Sequence, residues 1–168
     1  MKFMNCFGSC RAGIAAMEFA LTAPLFFLLV MGIFDTGFYF MQKWALITGL
    51  DRAQRVIQTG EILKTPAWRR ELSFRDLICR SRLLPNCEKR IVTQVRELDG
   101  ASMESMTSDG KVNASEGHFV AGNPGKIMGV EVVYRLPPSF VGPILEQSKG
   151  PDGSVYINAM TIFRTEPY

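Results

Sequence analysis

The stretch Ile14–Phe34, IAAMEFALTAPLFFLLVMGIF, is twenty-one residues long and carries one charge, Glu18. As a helix it would span about 31 Å at about 1.5 Å per residue, the thickness of a bilayer's hydrocarbon layer. The run is apolar on every face, which favours a membrane span over a buried helix of a small core. Pro24 is admissible, because neighbouring groups in a membrane helix re-satisfy the carbonyl that a proline frees. A cleaved secretory signal would have a shorter apolar region followed by a small-residue cleavage site. Here the chain continues instead into GFYFMQKW, Gly37 to Trp44. The expectation is one membrane-spanning helix over residues 14–40.

C-terminal to this run the pattern changes. Leu46, Leu50, Ala53 and Ile57 fall at i, i+4, i+7 and i+11, a single apolar stripe flanked by Asp51, Arg52 and Arg55. Gly60 suits the end of such a helix. One helix from Ile14 to Thr59 would be about 69 Å long, its first half in lipid and its second half (41–60) packed on an outer domain. Asp35 stands where the helix leaves the hydrocarbon and is either a second contact between helices or a solvated interfacial acid. Tyr39 and Trp44 fit the interfacial aromatic belt.

Residues 61–168 read as a small α+β domain. Pro66 opens a second helix with Trp68, Leu72, Leu77 and Ile78 as its apolar residues. Three strands follow: Ile91–Leu98, with poor alternation; Ile127–Leu136, with Met128, Val130, Val132, Tyr134 and Leu136 on one face; and Val155–Arg164. Sequential strands predict a small antiparallel sheet packed on the long helix. Asp99–Lys126 is rich in Gly, Ser, Asn and Asp and reads as a long exposed loop. Pro137–Gly153 carries an apolar patch of Phe140, Val141, Ile144 and Leu145, which either packs on the sheet or meets a partner.

Composition narrows the chemistry. Nineteen Lys and Arg against sixteen Asp and Glu leave a net charge of +3, too slight and too interleaved for a nucleic-acid surface. The single histidine, His118, has no acid or thiol beside it in sequence and makes a poor metal or catalytic site. Gly122–Gly125, G-N-P-G, is a turn signal rather than a phosphate loop. Asn113-Ala114-Ser115 matches a glycosylation triplet that arises often by chance. No enzyme, metal or cofactor is expected. The four cysteines form two close pairs on opposite sides of the apolar run. An extracytoplasmic setting favours a Cys79–Cys87 disulfide over two buried thiols. Cys6 and Cys10 read as reduced thiols, because two alone do not complete a zinc site. Basic residues on the two sides of the span do not decide its orientation; the Cys79–Cys87 pair favours the C-terminal domain outside.

Glu18 is the residue that most needs an explanation, since a carboxylate in lipid is costly and no Lys or Arg lies beside it on the helix. A cut after Gly13 would give Ile14 a free amine five residues' span before it. That amine on one subunit could neutralise Glu18 of a neighbour and set the stagger of packed helices, with Ala15, Ala16, Ala20 and Ala23 allowing close approach.

These residues carry a resemblance. Arg11, Gly13, IAAM, Glu18-Phe19, Pro24 and Gly32–Gly37 together resemble the N-terminus of TadE-like proteins, minor pilins or pseudopilins of the tight-adherence (Flp-type) pilus. The terminal AMTIFRTEPY is also similar to the family's closing strand. The resemblance covers residues 11 to about 60 most strongly and implies a lollipop-shaped, pilin-like fold. It implies a cytoplasmic leader, residues 1–13, removed between Gly13 and Ile14 by a prepilin peptidase. Its implied partners are other pilin subunits, the assembly machinery and membrane lipid. Its implied location is a bacterial inner membrane, with the C-terminal domain periplasmic or carried into the pilus. The competing reading is an uncleaved anchor displaying an extracytoplasmic ligand-binding or adhesion domain.

Overall fold

Helix α1 runs unbroken from Arg11 to Gln58, 48 residues, straight through Pro24. It starts earlier than the sequence pattern suggests, and Thr59 belongs to the turn that ends it. Gly60 adopts φ +70°, open to glycine without cost, and its N–H is donated to the carbonyl of Ile57. The computed structural model describes residues 11–98, 107–108, 111–112, 118–138, 144 and 154–167. Cys6 and Cys10 lie outside them, as do Phe140, Val141 and Leu145; Ile144 is exposed.

After a turn of 3-10 helix, Glu61–Lys64, helix α2 spans Ala67–Ile78 with Pro66 as its N-cap. A single helical turn, α3 (Cys87–Arg90), precedes strand β1 (Ile91–Glu97). A two-residue pair follows, β2 (Thr107–Ser108) with β3 (Lys111–Val112); β4 is Ile127–Arg135 and β5 is Tyr156–Arg164. The main sheet has the order β1-β4-β5, antiparallel throughout. The fold is therefore α+β: a long apolar helix carrying a small three-stranded antiparallel sheet, in a lollipop shape.

The core lies between the outer half of α1 and one face of the sheet. Leu46, Leu50, Ala53 and Ile57 are all buried, as are Met128, Val130, Val132 and Tyr134 of the central strand. Each fully buried Leu or Ile contributes about 1.5–3 kcal/mol. Hydrogen bonds pin α1 to the sheet: Thr161 Oγ1 donates to Gln54 Oε1 at 2.7 Å, and Glu166 N donates to the carbonyl of Gln58 at 2.9 Å. The closing segment acts as a staple. Arg164 Nε donates to the carbonyl of Gly125, while Thr165 Oγ1 donates to the carbonyl of Asn123 and accepts from the N–H of Lys126.

Several expectations need correction. Trp68 and Leu72 do not face the core; they are 76% and 54% exposed, and α2 buries Phe74 and Ile78 instead. Tyr39 is 4% exposed, inside the domain's core rather than in an interfacial belt. Strand β1 alternates as poorly as its sequence suggests, although Ile91 and Val95 do reach the core. Its pattern is obscured because Thr93 and Gln94, on opposite faces, are both buried. The segment 99–126 is not all exposed loop. Val95 N donates to the carbonyl of His118 and Val120 N to that of Val95, so residues 118–120 run parallel along the edge of β1. Phe119 there packs on Phe74, ring centroids 5.6 Å apart.

Candidate functional site

No residue from Gly13 to Phe38 is buried. Among the described residues α1 is the one helix long and apolar enough to cross a membrane, and its most apolar stretch is not covered by the rest of the chain. Two surfaces meet on this helix. Up to Phe34 it is apolar on all sides; from Tyr39 onward one side enters the core. On the other side Phe40, Trp44 and Ile47 stay exposed, Trp44 at 65%. Their spacing of i, i+4 and i+7 makes a second apolar stripe in the sequence, ended by Asp51, of which Trp44 alone carries a sequence expectation.

The polar groups of the free half are satisfied internally where they can be. Thr22 Oγ1 donates to the carbonyl of Glu18 at 2.9 Å, and Thr36 Oγ1 to that of Gly32 at 2.7 Å. Such back-bonding removes hydroxyl donors that lipid could not satisfy. It does nothing for a carboxylate, which leaves Glu18, exposed on the free half of the helix, as the group that still calls for a partner.

Gly13 has open space where a side chain would stand. Ile14 and Phe19 are exposed. Ile14 and Glu18 are four residues apart, so they share a face at about 6 Å of axial separation. Asp35 is half-buried and makes an interaction within the chain. It lies seventeen residues beyond Glu18, about 26 Å along the axis and about 100° around it. One neighbouring helix therefore cannot pair with both acids through a straight seam.

In the outer domain Cys79 and Cys87 form the disulfide that an extracytoplasmic setting favours. The loop they close is tied to the sheet by the Tyr134 hydroxyl, which donates to the carbonyl of Pro85 at 2.9 Å. Burial pushes the Tyr134 phenol above its ordinary value of 10.0, and the nearby Arg90 guanidinium partly opposes that shift. Among the described residues no three His, Cys, Asp or Glu come together as metal ligands.

Residues 13–55 match the family model described as TadE-like protein. The match begins at Gly13, takes in Glu18 and the apolar run, and ends within the stripe of α1 that enters the core. It agrees with the resemblance carried by the same residues, to a structural rather than enzymatic pilin family. No curated protein and no solved structure matches the chain.

Proposed function

We propose that this chain is a minor pilin or pseudopilin that serves assembly of a tight-adherence pilus, anchored by α1 with its sheet domain on the extracytoplasmic side. The observation that carries the reading is a helix whose stretch from Gly13 to Phe34 is apolar and nowhere buried, broken by Glu18 alone at a fixed distance from Gly13, within the segment that matches the TadE-like model. Removal of a leader at Gly13 gives Ile14 an α-ammonium group. When two such helices are offset by about 6 Å along their axes, the ammonium of one lies level with Glu18 of the other. Pairing cancels two charges that are each expensive in lipid and fixes the offset between subunits. Prepilin peptidase, other pilin subunits and the assembly machinery are the partners this role requires.

The test is the N-terminus of the protein purified from its own membranes, by intact mass and peptide sequencing. A chain beginning at Ile14 is the expected result. A chain still beginning at Met1 would select the other reading, an uncleaved anchor displaying a binding domain.

A further inference from the structure

We propose that the disulfide-closed loop after α2 docks on anionic lipid headgroups, holding the outer domain down on the membrane; this rests on α1 spanning that membrane. The segment Cys79–Arg90 carries Arg80, Arg82, Lys89 and Arg90 against one acid, Glu88. Arg80, Arg82 and Lys89 are exposed. Among the described residues none of the three has an ion pair, unlike Arg75 and Lys126, which pair with Glu71 and Glu97. The loop is also preformed. The disulfide closes it, Leu84 and Cys87 are buried beneath it, and Tyr134 holds the Pro85 carbonyl. Its cations are therefore presented without a further cost in chain ordering.

Position supplies the second argument. Helix α2 returns along α1 until Ile78 meets Gly49. Ser81, between the two arginines, then borders the same small cavity as Trp44, Thr48 and Arg52. The basic loop thus stands beside Trp44, an exposed aromatic side chain on α1 of a type enriched at membrane interfaces. The uncovered apolar side of α1 extends from Ile14 to Ile47, about 50 Å, against a hydrocarbon layer of about 30 Å. A helix with that mismatch tilts, kinks or thickens the bilayer around it. Tilting toward Trp44 lowers Arg80 and Arg82 to the phosphate level, where a guanidinium pairs with two phosphate oxygens at once.

The experiment uses the full chain carrying Trp68→Phe, so that Trp44 is the sole tryptophan. It is reconstituted in phosphatidylcholine vesicles containing a minority of phosphatidylglycerol. Either lipid is brominated at the top of its acyl chains, and quenching of Trp44 is read. Brominated phosphatidylglycerol should quench at least about twofold more per molecule than brominated phosphatidylcholine. Adding Arg80→Gln, Arg82→Gln and Lys89→Gln should bring that ratio to one while total quenching stays the same. A ratio of one in the parent protein overturns the proposal and leaves an acidic protein surface as the counter-charge for this loop. A preference that survives the triple change overturns it as well. Quenching by neither lipid would overturn the spanning reading of α1 together with the proposal, which separates the two failures.

Discussion

A Cβ atom placed on Gly49 would lie 2.7 Å from the carbonyl oxygen of Ile78. The two helices of the outer domain meet backbone to backbone at this point, and the glycine is what lets them. Gly49→Ala should therefore destabilise the domain even though alanine is the better helix former. The overpacking costs about 1–3 kcal/mol against a propensity gain of about 1 kcal/mol. The melting temperature of the detergent-solubilised protein should fall; a rise would show that α2 moves away at no cost.

The disulfide closes a loop between residues eight apart. Cys79→Ser with Cys87→Ser should lower stability by about 2–3 kcal/mol through release of the unfolded chain. Denaturant titration with and without reductant measures this directly. The double variant should be insensitive to reductant, while the parent protein should become like it.

Tyr134 makes stability depend on pH. Its folded value is raised above 10.0, so the unfolded chain gives up the proton more readily. The contribution is complete below pH 10 and is lost as pH rises through the higher folded value. Tyr134→Phe should remove this alkaline loss. At neutral pH it should cost about 0.5–1.5 kcal/mol, because the Pro85 carbonyl loses its donor. Thermal melts from pH 8 to 11 of the two proteins would show whether the curves converge.

Glu18→Ala should leave membrane insertion and the N-terminus unchanged yet abolish association with neighbouring pilin subunits. Each 1.4 kcal/mol removed from a contact weakens it about tenfold, and an unpaired intramembrane charge is worth more than that. Crosslinking yield in membranes is the readout. Assembly equal to the parent protein would rule out the ammonium–carboxylate pairing.

The candidate site was legible because its signal is local. A lone acid in an apolar run and a glycine five residues before it need no knowledge of the rest of the chain. The disulfide was legible from the side of the apolar run on which Cys79 and Cys87 fall, since an extracytoplasmic setting favours the bond over two thiols. Where the sequence misled, long-range packing had the decision. Trp68 and Leu72 are apolar at helical spacing, but so are Phe74 and Ile78, and only the crossing at Gly49 determines which pair faces inward. Phe119 sits in a stretch of turn-forming residues, and nothing near it in sequence indicates that it packs on Phe74.

By itself the sequence determined that a helix of membrane-spanning length leads into an amphipathic continuation, and that Leu46, Leu50, Ala53 and Ile57 form its inner stripe. Hydropathy and the 3.6-residue period are properties of neighbouring residues. The tertiary structure alone decided that Tyr39 is buried, that residues 118–120 line the edge of β1, and that the basic loop stands beside Trp44. Those outcomes depend on which surfaces are brought together from distant parts of the chain, and an apolar residue does not specify what will cover it.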